Sequence, residues 1–164
     1  MPDPKLRRPA ALAIDSPERR RLPPLLRRAW YSLNQAFRRR IAHLGITPDQ
    51  FTVLRILLEG DSKGMTQREL SQAMSSDPNT VASLLHRMEA AALVVRSPHE
   101  TDRRAHRIQM RPVGERRYEA ARMIAIALQT EVLDCLPAAE REAFLIQLTA
   151  VAAACHAASQ APKS

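Results

Sequence analysis

The apolar residues of this chain recur at helical spacing over most of its length. Between residues 22 and 44 they return every three or four positions, which predicts one face of a long helix that ends near Gly45. The positions of this stripe are Leu26, Ala29, Trp30, Leu33, Phe37, Ile41 and Leu44. A second amphipathic helix is predicted after Thr47 and Pro48, since a capping residue followed by proline opens helices, and Gly60 ends it.

Two further helix starts follow in the middle of the chain. The segment TQRE, from Thr66 to Glu69, has the spacing of a capping box and opens a short helix that runs to about Met74. Asp77 and Pro78 then provide the N-cap and the first position of another helix. The apolar stripe that predicts the buried face of this helix consists of Val81, Leu84, Leu85 and Met88. The opposite face, at 100° per residue, carries Asn79, Ser83 and His86, with Arg87 beside them.

Beyond that helix the pattern changes from helical spacing to alternation. Residues 93–96 and 106–110 alternate weakly between apolar and polar, which predicts two antiparallel strands joined by a charged loop. Arg111 and Pro112 begin a helix that runs to about Leu136 and is broken by Pro137, and a last, alanine-rich helix follows. The order predicts a mostly α protein with a small β-wing, a winged helix-turn-helix with long helices at both ends.

The composition indicates a class of partner. The net charge is +8, and such an excess favours a polyanion, either nucleic acid or an anionic membrane surface. No apolar run approaches the roughly 20 residues that span a bilayer, and no signal-peptide pattern is visible, so we expect a cytoplasmic protein without a membrane partner. Cys135 and Cys155 lie far apart without the spacing of metal ligands, and we expect both to be small apolar residues in helices.

The predicted wing carries the most specific motif of the chain. The segment SPHETDRRAHRIQM, residues 97–110, contains Asp102-x-Arg104 followed by Ile108 and Met110 in alternation, and Gly114 comes four positions later. Upstream, the segment DPNTVASLLHRMEAAALVVR combines a capped helix with a strand. In this order and spacing the two motifs resemble the MarR family of bacterial transcription regulators, over about residues 22–160.

The resemblance implies three parts of the chain. We expect a basic N-terminal arm at residues 1–21, a helical dimerisation region at 22–46 and 112–160, and a DNA-binding lobe at 47–111. In the family the terminal helices of two chains interdigitate, which places two recognition helices on a pseudo-palindromic site in double-stranded DNA, roughly one helical turn apart. The alternative that the terminal helices leave open is a monomeric bundle.

The recognition helix is expected to supply most of the base contacts. An α-helix fits the major groove and approaches base edges most closely with its first turns, so Asn79, Thr80 and Ser83 are expected to read bases or phosphates. His86 lies on the same face, and Arg87 is long enough to reach a phosphate. The alternative is an ordinary solvated face.

The wing is expected to supply the remaining contacts. By resemblance, Arg104 inserts into the minor groove, whose negative potential favours arginine, and Asp102 orients the wing tip. Phosphate contacts are expected from Arg96, Arg103 and Arg107. A merely solvated charged loop is the alternative. The two histidines that flank this loop, His99 and His106, lack further ligands for a metal, and we expect them to face solvent or phosphate.

Members of the family often respond to small aromatic acids or phenols, which implies a ligand cleft beside the first long helix. The candidate lining residues are Arg27, Trp30, Tyr31, Asn34, Phe37 and Arg38, of which either arginine could pair with a carboxylate. Trp30 and Phe37 lie on the apolar stripe, and a plain core position is the preferred interpretation of both.

The function expected from these observations is that of a dimeric, sequence-specific DNA-binding transcription regulator. We expect a repressor that a small aromatic acid or phenol releases, with no metal and no other cofactor. A winged-helix module for protein–protein association without specific DNA binding is the alternative. An enzyme is disfavoured, because the sequence has no glycine-rich phosphate loop, no paired catalytic carboxylates and no supported Ser/Cys–His arrangement.

Overall fold

The long helix predicted near the start of the chain is present. The computed structural model describes Ser16 and residues 20–102 and 105–160, and the predicted arm at residues 1–21 falls almost entirely outside them. Helix α1 spans Leu22–Ile41 and has proline in its first turn. A 3₁₀ turn, Ala42–Leu44, follows it, and Gly45 ends this turn with a left-handed φ of 65°, a conformation that favours glycine.

The other helices follow in the predicted order. They are α2 (Pro48–Glu59), α3 (Gln67–Ala73), α4 (Pro78–Ala90), α5 (Pro112–Leu133) and α6 (Ala138–Gln160). Helix α5 ends before the predicted Leu136, because the chain turns ahead of Pro137. The chain divides into two compact units between Pro48 and Asp49.

A three-stranded antiparallel sheet forms the wing of the second unit. Strands β2 (Val94–Pro98) and β3 (His106–Met110) make the predicted hairpin, with Arg96 opposite Ile108. A two-residue strand, β1 (Met65–Thr66), pairs with the other edge of β3 and was not predicted. The strand order is therefore β1-β3-β2, and β1 leads directly into α3.

The loop before β1 approaches the backbone of β3 closely at Gly64. This glycine is buried and has a φ of 89°. A Cβ atom placed on it would lie 2.4 Å from the carbonyl oxygen of Ile108, so no larger residue fits without displacement of the strand.

The core of the second unit joins the helices to the inner face of the sheet. Its most deeply buried side chains are Val53, Leu54, Leu70, Val81, Leu85, Met88, Leu93, Val94 and Ile108. The rings of Phe51 and Tyr118 stack with centroids 5.2 Å apart and connect α2 to α5. The buried stripe predicted for α4 is confirmed, since Val81, Leu84, Leu85 and Met88 are all buried.

In the first unit, only the last part of α1 is covered. Phe37 and Ile41 are the buried residues of this helix, whereas Trp30 is 65% exposed. The preferred core interpretation is therefore correct for Phe37 and wrong for Trp30. The apolar stripe of α1 includes both buried and exposed residues. The spacing of apolar residues alone does not distinguish a buried helical turn from an exposed one.

Helix α6 corrects two expectations. By length and composition it could cross a membrane, because its many alanines produce an apolar stretch of a length that was not expected anywhere in the chain. None of its residues is buried. Cys155 in this helix and Cys135 in the turn before it are free and exposed, so Cys135 is not helical and neither is a core residue.

Candidate nucleic-acid interface

Helix α4 is fixed at its start by its own cap. One carboxylate oxygen of Asp77 accepts hydrogen bonds from the backbone N–H groups of Asn79, at 2.8 Å, and of Thr80, at 3.2 Å. Pro78 occupies the first turn, where the missing N–H is not needed. The carboxylate therefore satisfies the exposed helix end, and the predicted N-cap is confirmed.

The outer face of α4 presents polar groups to solvent. All five predicted reader residues of this helix are exposed: Asn79, Thr80, Ser83, His86 and Arg87. They offer an amide, two hydroxyls, an imidazole and a guanidinium, which are donor and acceptor groups of the kind that bond base edges and phosphates. Because the opposite stripe is buried, this face cannot turn inward without the loss of the core.

The turn between α3 and α4 is closed by backbone and side-chain hydrogen bonds. The amide of Gln67 donates to the carbonyl of Pro78 at 3.2 Å, and the N–H of Ser76 donates to the carbonyl of Ser71 at 3.0 Å. Ser75 adopts a φ of 49° within this turn. Helix α3 begins with the predicted capping box, in which Thr66 and Glu69 bond each other's backbone N–H groups. These contacts set the angle between the two helices.

The wing is tied to α4 by an ion pair. The guanidinium of Arg96 on β2 lies 3.2 Å from the carboxylate of Glu89. Both side chains are partly exposed, at 31% and 40%, so the guanidinium also reaches the surface. The predicted phosphate contact of Arg96 stays a prediction.

The wing tip is organised by His99, which is half-buried rather than directed to solvent or phosphate. Its ring Nδ1 accepts from the backbone N–H groups of Thr101 and Asp102, both at 3.3 Å. The carbonyl of Asp102 accepts from the N–H of Ala105 at 3.1 Å. The predicted tip residues Arg103 and Arg104 lie outside the described residues. His106 is exposed, as expected.

Arg107 on β3 makes two directed contacts with its own chain. Its Nε lies 2.8 Å from a carboxylate oxygen of Glu100, and its Nη1 donates to the carbonyl of Gly64 at 2.8 Å. The hydrogen bond from Arg107 lowers the pKa of Glu100 below its ordinary value, and the same bond raises the pKa of Arg107. The pKa of Glu69 is lowered mainly by the backbone N–H of Thr66. Glu100 and Gly64 were not predicted from the sequence, because neither stands out in the wing motif.

The candidate ligand residues lie along one side of α1. Arg27, Tyr31, Asn34 and Arg38 follow one line at four-, three- and four-residue steps, and Trp30 and Phe37 flank it. Four of the six are exposed, Asn34 is half-buried and Phe37 is buried. Over residues 20–102 and 105–160, no group of three or more His, Cys, Asp or Glu side chains is placed to hold a metal ion.

Sequence comparisons identify a matching family model and a similar transcriptional regulator. A model of the MarR family matches residues 44–105. The transcriptional regulator HosA of Escherichia coli O127:H6 is 31% identical over 126 residues, which cover 74% of this chain and 92% of that protein.

Solved structures share the fold. The DNA complex of MepR from S. aureus superposes with a TM-score of 0.76 and 23% identity, over 83% of this chain and 99% of that chain. CouR bound to a 23-mer DNA duplex gives a TM-score of 0.71 and 25% identity, over 78% of this chain and 89% of that chain.

Proposed function

Because the chain belongs to the MarR family of transcription regulators, we propose that it is a dimeric, sequence-specific repressor that a small aromatic acid or phenol releases from its operator. As a member of that family it is a DNA-binding transcription regulator.

The observation that carries the DNA-binding proposal is the exposed polar face of α4. Five side chains with complementary hydrogen-bonding chemistry project from a helix whose other face is fully packed. A helix of this kind fits the major groove, where base edges differ in their donors and acceptors. We assign Asn79 and Ser83 to base edges and Arg87 to a phosphate.

Selection of bound duplexes from random DNA, followed by titration of the selected operator, tests this assignment. Asn79→Ala should cost about 1–3 kcal/mol on the operator and little on scrambled DNA if the amide makes a good base contact. Arg87→Ala should weaken binding to both the operator and the scrambled duplex, and it should reduce the salt slope of binding by about one unit per chain. If the parent protein selects no DNA sequence and its DNA binding does not depend on salt, the chain is instead the winged-helix module for protein–protein association.

A second copy of the chain is our proposed cover for the exposed apolar side chains of α5 and α6. Met123, Ile126, Phe144 and Ile146 are between 41% and 62% exposed. Contact with a second chain would remove these large apolar side chains from water, which is favourable. The twofold assembly would present two α4 helices to one pseudo-palindromic site.

Ile146→Glu tests the dimer by sedimentation equilibrium. If a second chain covers Ile146, the buried carboxylate should dissociate the dimer, because an unpaired charge is costly in an apolar interface. Gln147→Glu adds the same charge at a neighbouring exposed position that is already polar. Equal association of both variants and the parent would contradict the assignment of this surface.

The line of Arg27, Tyr31, Asn34 and Arg38 on α1 is the proposed effector site, with Trp30 and Phe37 beside it. An exposed guanidinium can pair with a carboxylate while an aromatic ring stacks on Trp30. Arg27→Ala and Trp30→Ala should reduce the loss of operator affinity that an aromatic carboxylate causes and leave affinity without ligand unchanged. A response equal to that of the parent in both variants would place the effector elsewhere.

A further inference from the structure

Arg107 is held inside the wing more firmly than a solvent-facing arginine. Its side chain is 16% exposed, and its two contacts reach in different directions. Glu100 lies seven residues away in the same hairpin, and Gly64 lies 43 residues away in the loop before β1. We call Arg107, Glu100 and Gly64 the wing brace, because the guanidinium connects the hairpin tip to a separate loop.

The loop end of the wing brace is fixed. Gly64 is buried, and its Cα approaches the backbone of β3 so closely that no side chain fits there. Arg107 also pairs with Thr66 across the β1–β3 ladder. Gln109, two residues further on the same face of β3, donates to the carbonyl of Lys63 at 3.0 Å. Two side chains of β3 thus bind consecutive carbonyls of one loop.

Acidic groups surround the guanidinium. Glu100 bonds it directly, and the charges of Asp61 and Glu69 also raise the pKa of Arg107. A DNA phosphate would therefore compete with carboxylates that are already in place. The ion pair with Glu100 offsets part of the positive charge of Arg107, which reduces its contribution to attraction of DNA.

The wing brace joins the two sides of the hairpin. Glu100 and Arg107 stand on either side of residues 101–106 in the sequence, and their ion pair is a direct contact between the two arms of the hairpin. From these contacts we propose that Arg107 is a positioning residue for DNA recognition, which holds the wing at the angle required for binding, and not a phosphate ligand. This inference rests on the proposed DNA-binding function.

Glu100→Gln separates the two roles because they predict effects of opposite sign. If Arg107 binds phosphate, removal of the neighbouring negative charge should tighten DNA binding. If Arg107 positions the wing, the variant should bind the selected operator roughly threefold to tenfold more weakly per dimer. Glu119→Gln is the matched control, since Glu119 is an exposed acid on α5 that pairs with Arg122 outside the wing.

Arg107→Gln completes a double-mutant cycle with Glu100→Gln. A positioning role predicts that the double variant loses no more affinity than the more affected single variant, and that the salt slope stays that of the parent. Hydrogen exchange of the peptide 97–107 without DNA should be at least about threefold faster in both single variants and unchanged in the control.

The exchange measurement distinguishes failure of this inference from failure of the proposed function. If the parent binds no operator but both variants exchange faster, the brace exists and DNA recognition is the wrong purpose, which overturns the positioning role. Three other results would each overturn the positioning role. They are hydrogen exchange equal to that of the parent, tighter DNA binding by Glu100→Gln, and a salt slope reduced by about one unit per chain in Arg107→Gln.

Discussion

The contact between α5 and the strand region depends on the absence of a side chain at Gly114. A Cβ atom at this position would lie 2.3 Å from the carbonyl oxygen of Leu93 and 3.1 Å from side-chain atoms of Leu54 and Met110. The Leu93 carbonyl cannot retreat freely, because it accepts the backbone N–H of Arg111 at 2.9 Å. Gly114→Ala must therefore move either the helix or this carbonyl by at least about 0.7 Å.

The magnitude follows from three opposing terms. Overpacking of a dense core costs about 1–3 kcal/mol, and a weakened hydrogen bond to Leu93 adds about 1 kcal/mol. Alanine in place of glycine within a helix returns about 1 kcal/mol. We therefore expect Gly114→Ala to lower the free energy of unfolding by about 1–3 kcal/mol, with a fall in Tm of roughly 2–12 °C.

Urea and thermal unfolding at one fixed protein concentration measure this change, since the proposed dimerisation would make Tm depend on concentration. Ala120→Gly, at an exposed position of the same helix, is the control for helix propensity and should cost about 1 kcal/mol. The m-value should stay that of the parent in both variants. Stability of Gly114→Ala equal to or above that of the parent would refute the close approach of α5 to Leu93.

Three further predictions concern helix ends. Ala92 has a φ of 56°, so Ala92→Gly should raise the free energy of unfolding by about 1 kcal/mol, whereas Ala91→Gly, at a φ of −83°, should not; a loss in Ala92→Gly would contradict this. Asp77→Ala should cost about 1 kcal/mol in urea unfolding and Asp77→Asn much less, and equal losses would argue against the cap. Because the pKa of Glu69 is lowered in the folded chain, its stabilising contribution is present above the ordinary value of 4.5 and is lost as the pH falls through the lowered pKa. Unfolding curves at several pH values should therefore show a smaller acid-dependent loss in Glu69→Gln, and an unchanged loss would exclude this role.

The parts of the fold that could be predicted are those with a local physical cause. Asp77, Pro78 and the stripe from Val81 to Met88 determine the start and the buried face of α4 within thirteen residues. Strand β1 could not be predicted, because two residues carry no alternation and the strand exists only through its pairing with β3.

The polar side chains of the candidate interface could be predicted from the sequence, but several of their contacts within the protein could not. The exposed face of α4 follows from periodicity, since a buried stripe determines the opposite side. The surroundings of Arg107 do not follow from the sequence, because its partner Gly64 is brought near by tertiary folding. The ring of His99 likewise bonds the turn that contains it, a role that composition and spacing do not distinguish from exposure.

The junction between the wing and α5 consists of a single residue. Strand β3 ends at Met110 and α5 starts at Pro112, while Arg111 between them is bonded to Leu93. Helix α5 has 22 residues and is therefore about 33 Å long. If the hairpin and α5 rotated together by about 5°, the far end of the helix would move by about 3 Å. An insertion of one residue at this junction would decouple the orientation of the hairpin from that of α5 while it left every other element intact.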